Sequence, residues 1–255
     1  MESFISYFDI LGFKEFIENS EEEIKHRLMN FLMRDSQSAI SGNKYIHKDE
    51  GTMVPDLSET NINCLHVSDS IIFWTNDLSE GSFIEMVKCC AFFLIRCLQI
   101  TFPVRGCLVL GDIAFSPFNI KNKKGTTFYN SSLYGKGLVD AYLKAESQDW
   151  AGCFVDKGAI NSVDEKVIDA LIYDNTIAYY PVPLKDGIFS YEYAIRTIPK
   201  TINNVYFKNL SKGIEENFNR HMNGKPLTES VKRKLTNTIK FYDYFRNNSV
   251  REEQK

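Results

Sequence analysis

Asp9 and Asp69 each break an apolar, β-favouring run, and they are the residues of this chain best suited to do chemistry. Asp9 closes the run Phe4, Ile5, Tyr7, Phe8 and is followed by Ile10, Leu11 and Gly12, so a strand delivers a carboxylate to its own mouth and then turns. Asp69 stands in Ser68-Asp69-Ser70, between the apolar runs 62–67 and 71–74, where a strand pair must reverse. A carboxylate withdrawn from water costs roughly several kcal/mol unless a cation or hydrogen-bond donors meet it. Either aspartate alone would serve as a turn or strand-end cap. Two of them at neighbouring strand edges can bridge a pair of Mg²⁺ or Mn²⁺ ions, which favour oxygen ligands and carry nucleotide phosphates. Such a two-metal site activates a hydroxyl and stabilises a departing pyrophosphate.

The elements that must position this pair follow from periodicity. After the first strand, Phe13, Phe16 and Ile17 repeat at helical spacing, and Ser20 with Glu23 forms a capping box for a second helix carrying Ile24, Leu28, Phe31 and Leu32 on one face. Residues 40–61 are polar and turn-rich and read as an exposed insertion. Residues 79–100 predict a helix with Phe83, Val87, Cys90, Leu94 and Leu98 towards the core, ended by Pro103. Residues 104–113 predict a strand carrying Arg105, Gly106 and Gly111, whose glycines suit strand packing. Residues 117–130 read as a lysine-containing loop, 135–147 as a helix, 151–155 as a strand and 156–172 as a short helix. This order describes an α+β fold with a mixed sheet, rather than a doubly wound parallel one. The expected organisation is a catalytic domain over 1–190 and a helical C-terminal appendage over 191–255, with amphipathic segments at 202–220 and 226–246.

Composition narrows the partners. The chain has 255 residues, 44% hydrophobic and 25% charged, with a net charge of -3, which argues against nucleic acid as a partner of the whole surface. Six cysteines lack any CxxC spacing and sit mostly in apolar runs, as buried thiols in a reducing compartment do. The four histidines share no metal-ligand spacing with them. The longest apolar stretch, 91–95, is far too short to cross a bilayer, and the first residues do not resemble a signal peptide. The expectation is a cytoplasmic protein without membrane insertion.

Four motifs in order carry a family resemblance over about residues 1–160. Tyr7-Phe8-Asp9-Ile10-Leu11-Gly12-Phe13 resembles the opening strand-turn of class III adenylyl and guanylyl cyclases, and Val67-Ser68-Asp69-Ser70-Ile71-Ile72 resembles their metal-binding hairpin. Residues 104–111, Val-Arg-Gly-Cys-Leu-Val-Leu-Gly, and 134–141, Tyr-Gly-Lys-Gly-Leu-Val-Asp-Ala, are similar to the family's Arg-to-Gly strand and the start of its catalytic helix. The resemblance implies a class III cyclase-like sheet with flanking helices. It also implies two metal ions held by Asp9, Asp69 and the backbone carbonyl of Ile10, and a homodimer with composite active sites.

The departures from the pattern bear on substrate. The family's transition-state asparagine and arginine fall on Val139 and Leu143 in one alignment and on Asp140 and Lys144 in the other, so Lys144 is the candidate phosphate-stabilising cation. Where the family reads a purine with Lys or Glu, Leu65 stands, and an apolar residue makes no such hydrogen bond. Together the strings look most like the bacterial pyrimidine cyclases of Pycsar antiphage systems. That implies conversion of UTP or CTP to cUMP or cCMP, read by a separate cyclic-nucleotide-sensing effector. Arg105 and Tyr142 are the further candidate substrate contacts, against roles in ion pairing and the core respectively. A catalytically silent nucleotide-binding module and a purine cyclase are the alternatives. Phosphatase chemistry of the haloacid-dehalogenase type is excluded because Leu11 stands where a second aspartate is needed, and Gly135-Lys136-Gly137 is no Walker loop.

Overall fold

The structure, a computed structural model, describes residues 1–48, 51–123, 125, 127–197 and 204–252. The first strand, β1 (Glu2–Ile10), is apolar on both faces, and this places it inside a sheet rather than at an edge. Two helices follow, α1 (Phe13–Asn19) and α2 (Glu22–Ile40), then the small hairpin β2 (Tyr45–His47) and β3 (Met53–Pro55), whose residues are exposed or half-buried. The hairpin β4 (Ile62–Val67) and β5 (Ser70–Thr75) leads into α3 (Glu80–Ile100), whose Ser79 accepts a capping bond from the Ser82 amide. Next come β6 (Val104–Asp112), the hairpin β7 (Ala114–Lys121) and β8 (Thr127–Tyr134), α4 (Lys136–Ser147) and β9 (Cys153–Val155). Helices α5 (Lys157–Ile160) and α6 (Glu165–Tyr173) precede the hairpin β10 (Ile177–Pro183) and β11 (Phe189–Ile195), and α7 (Asn204–Asn219) and α8 (Glu229–Glu252) complete the order.

Seven strands form one sheet in the order β10-β11-β9-β6-β1-β5-β4, with β6 and β9 parallel and the other neighbours antiparallel. The sheet is therefore mixed, as the element order implied. Side-chain alternation along β1 sorts its residues between two layers. Phe4 and Phe8 meet Phe83 and Phe93 of α3, with ring centroids 5.1 Å apart in each pair. Ile5, Tyr7 and Asp9 face the side covered by α4. That helix lies directly on the backbone of β6: a Cβ added to Gly111 would stand 2.5 Å from the Cα of Gly137, so both glycines are needed for the close approach. Gly106 is likewise overlain by the Phe8 ring.

The last two helices are tied to this sheet by specific polar contacts. The Asn217 amide donates to the carbonyls of Cys97 and Leu98 at 3.1 and 2.9 Å, and Arg220 donates to those of Ile100 and Thr101, so α7 and the turn after it satisfy carbonyls at the C-terminus of α3. On α8, the Thr238 hydroxyl accepts from the Ala151 amide at 2.8 Å, and Phe241 packs edge-on against Trp150 with centroids 4.7 Å apart.

Several expectations need correction. The capping box does not form: α2 begins at Glu22 after Glu21, without a side-chain cap, and the Ser20 hydroxyl lies 3.1 Å from Nδ1 of His221. A tertiary partner has displaced the local one. Within 117–130, the described residues belong largely to the hairpin β7–β8, whose outward Phe115, Phe118 and Ile120 give no one-sided apolar pattern. The single helix expected over 156–172 is divided into α5 and α6, because the Asp164 side chain accepts from the Lys166 amide and caps a new start. The hairpin β10–β11 carries the sheet through Ile195 and has no counterpart in the sequence expectations, since Tyr179, Phe189 and Tyr191 along it are exposed.

His221 gives the fold a defined acid sensitivity. Its ring packs against both Phe16 and Phe102, and burial together with the neighbouring Arg220 pushes its pKa down to about 4. Between that value and the ordinary value of 6.5 the unfolded chain binds more protons, so the contribution is complete above about pH 6.5 and is lost as pH falls towards 4. The ring is only partly buried, and screening reduces the effect to on the order of 1 kcal/mol. Urea unfolding of His221→Gln is expected to show a shallower loss of stability across this window than the parent; parallel pH profiles would contradict it.

Candidate active site

Strand register brings the site together. Asp9 lies opposite Ser70 across β1–β5 and opposite Arg105 across β1–β6, so the hairpin turn with Asp69 and the start of β6 flank the same carboxylate. The Ile10 amide donates to the Asp69 carbonyl at 3.0 Å, which locks the two loops in register. Ser68 takes a left-handed φ of 56°, the conformation that lets this tight turn reverse with Asp69 at its tip. Asp9, Ile10, Asp69 and Arg105 line one cavity of about 430 Å³, together with Glu146, Lys185 and residues of α1, α7 and α8.

Arg105 is 7% exposed and forks its charge between two acids. Its Nε and Nη2 lie 2.9 and 2.8 Å from Oδ2 of Asp9, and Nη2 also pairs with Glu146. Nη1 donates to the Glu146 carbonyl at 3.2 Å. Both contacts to Asp9 fall on Oδ2, and Oδ1 has no hydrogen-bond partner among the described residues; nor has the Asp69 carboxylate. Burial raises the pKa of Asp9 despite the opposing attraction of Arg105, and the Asp69 charge raises it further. Across the cavity, Lys185 pairs with Glu146 at 2.8 Å, and burial and the charge of Arg105 hold its pKa down.

This arrangement fits divalent cations. The donors are all oxygens, Oδ1 of Asp9 and the Asp69 carboxylate have no partner among the described residues, and two mutually repelling carboxylates gain from a shared positive charge. Among the described residues no group of three or more His, Cys, Asp or Glu converges as a metal cluster, so the remaining ligands would come from backbone, water and substrate oxygens.

The other expected site residues lie apart from this cavity. Tyr142 is 45% exposed on α4, so it is not core; its ring stands edge-on to Tyr7 at 5.5 Å, and the Tyr7 hydroxyl lies 2.6 Å from Oγ of Ser70. Lys144 pairs with Asp156 at 2.6 Å; burial lowers its pKa but the bond and charge of Asp156 more than offset this. Val139 and Leu143 are exposed on the same helix. Leu65 is half-buried on β4, opposite Ile72. Glu146, Lys185 and Lys234, which do line the cavity, are absent from the sequence expectations. Only the Lys185-Asp186-Gly187 turn offered a local signal, and that signal was for a turn.

No protein-family model matches the chain, and no curated protein matches it in sequence. In three dimensions it is similar to the guanylate cyclase domain of RhGC from Catenaria anguillulae in complex with GTP, with a TM-score of 0.50 and 9% identity over 76% of this chain and 96% of that one. It is similar to the catalytic core of a rhodopsin-guanylyl cyclase with converted specificity in complex with ATPαS, with a TM-score of 0.51 and 10% identity over 76% and 95% of the two chains. The non-canonical dimeric guanylyl cyclase domain of the RhoGC fusion protein from the aquatic fungus Blastocladiella emersonii gives a TM-score of 0.50 at 10% identity over 77% and 96%. The fold is that of class III nucleotidyl cyclase domains, a seven-stranded mixed sheet with flanking helices. Among the described residues no helix is long and apolar enough to cross a membrane.

Proposed function

We propose that this chain is a pyrimidine nucleotide cyclase, converting UTP or CTP to the 3′,5′-cyclic monophosphate and pyrophosphate. The observation that carries the reading is the convergence of Asp9 and Asp69 on one cavity, each with free carboxylate oxygen, beside the cations Arg105 and Lys185. In this reaction the 3′-oxygen attacks the α-phosphorus, the bond from that phosphorus to the pyrophosphate oxygen breaks, and the hydroxyl proton passes to solvent. Asp9 through Oδ1, the Asp69 carboxylate and the Ile10 carbonyl would hold Mg²⁺ or Mn²⁺; when bound, such ions lower the hydroxyl pKa and neutralise the leaving pyrophosphate. Arg105 and Lys185 face the same space and attract the phosphates. Both are now held by Glu146, so phosphate binding exchanges one set of anionic partners for another.

The preference for a pyrimidine rests on Leu65 at the position where purine cyclases carry a hydrogen-bonding residue, and on the resemblance to Pycsar enzymes. Within that resemblance the product is a messenger of antiphage defence, sensed by a separate effector. Two copies would form composite sites, and the exposed Val139 and Leu143 of α4 support such pairing. A second reading, a catalytically silent nucleotide-binding module, is favoured by one observation: Lys144 is engaged by Asp156, and Val139 and Leu143 supply no transition-state donor. The test is incubation of the purified chain with each of the four ribonucleoside triphosphates and Mn²⁺, with mass detection of products. Cyclic UMP or CMP is the expected result. A cyclic purine product would transfer the assignment to a purine cyclase, and thermal stabilisation by nucleotide without any cyclic product would favour the silent module.

A further inference from the structure

The C-terminal helices form one wall of the cavity that holds Asp9 and Asp69. Phe218 and Met222, at and just after the end of α7, and Thr228, Val231 and Lys234, at and along the start of α8, all line it. Lys234 is the charged residue of this wall. Its side chain is 12% exposed, and Nζ lies 2.8 Å from Oγ of Ser230 and 3.6 Å from Oδ1 of Asp149. Asp149 is buried and already paired with Arg233, while the Asn237 amide donates to its carbonyl at 2.9 Å. One carboxylate thus anchors two cations of α8. Arg233 suffices to neutralise it, so Lys234 brings a further positive charge to the cavity, beside Arg105 and Lys185, which are paired with Asp9 and Glu146.

The energetics agree with that geometry. Burial lowers the pKa of Lys234, and although Asp149 opposes this, Arg105, Lys185 and Arg233 lower it further. Asp9 and Glu146 pair with Arg105 and Lys185, whereas the nearest acid to Lys234, Asp149, is shared with Arg233, so an anionic ligand would complete the pairing of Lys234. We propose that Lys234 is a ligand-binding residue of this site, contacting the polyphosphate of the nucleotide whose binding the proposed function assumes, so that α8 belongs to the site. Asp149 acts as a positioning residue, aiming Lys234 without touching the ligand.

The experiment is isothermal titration of inorganic tripolyphosphate into the full chain in the presence of EDTA, for the parent, Lys234→Gln, Lys234→Arg and the exposed control Lys232→Gln. Loss of one charge-assisted contact should weaken binding about tenfold in Lys234→Gln, while Lys234→Arg retains affinity and Lys232→Gln matches the parent. In the parent, tripolyphosphate should also protect Lys234, but not Lys232, from amine acetylation mapped by peptide mass spectrometry; this readout does not depend on how any variant folds. Unchanged affinity in Lys234→Gln, no measurable binding to the parent, or no protection of Lys234 would each overturn the inference. The two readings fail separately. Lys234-dependent binding without cyclic product from any nucleotide removes the cyclase chemistry alone, whereas Asp69-dependent turnover with undiminished binding in Lys234→Gln removes only the role of Lys234.

Discussion

Replacing Asp69 by alanine is expected to lower formation of the cyclic product by about 10³-fold or more, because a divalent ion acting as Lewis acid is worth several kcal/mol in the transition state. The same substitution should leave unfolding free energy within about 0.5 kcal/mol of the parent when metal is chelated. The contrast follows from what Asp69 touches. Its carboxylate has no hydrogen-bond or ion-pair partner among the described residues, and the contact that holds the turn runs from the Ile10 amide to its backbone carbonyl, which alanine keeps. Product assays and urea denaturation on one preparation read the two effects independently. Full activity in the variant would end the two-carboxylate mechanism, and unfolding would assign Asp69 a structural role instead.

Arg105→Ala should cost about 3 kcal/mol of stability in EDTA, the low end of the range for breaking a buried ion pair, because Glu146 retains partial solvent access and its contact with Lys185. The loss should depend on pH in a definite direction. Burial has already raised the pKa of Asp9, so the folded state keeps that proton to higher pH than the unfolded chain does. Stability from this group therefore falls as pH rises from the ordinary carboxylate range through the raised value. Without Arg105 the pKa moves higher, and the deficit of the variant should be largest at neutral pH and shrink on mild acidification. Mn²⁺ separates a metal ligand from a plain salt-bridge acid. Removal of the guanidinium frees Oδ2, so saturating Mn²⁺ should raise the melting temperature of the variant by more than it raises that of the parent. An equal or smaller increment would show that Asp9 is no metal ligand.

Much of the scaffold was legible because its signals are local. The two-sided apolar run of β1, the interruption of apolar runs by Asp9 and Asp69, and the core face of α3 are patterns of a few consecutive turns or strand residues. The hairpin around Asp69 announced itself in the same way. The hairpins β7–β8 and β10–β11 escaped because Phe115, Phe118, Tyr179, Phe189 and Tyr191 along them are exposed, and without a one-sided apolar face a strand resembles a loop. Ser20 misled because its capping signal was real and a histidine 201 residues away competed for the hydroxyl.

By itself the amino-acid sequence determined that two carboxylates end β strands in an α+β chain, since residue type and short-range spacing suffice for that. Tertiary structure alone decided which charges meet them. Arg105 reaches Asp9 across 96 residues of chain through the register of β1 on β6, and Lys185 and Lys234 come to the same cavity from a turn and a helix far along the chain. Such meetings depend on strand pairing and helix docking, which are set by the summed burial of the whole core and leave no mark on the residues beside each charge.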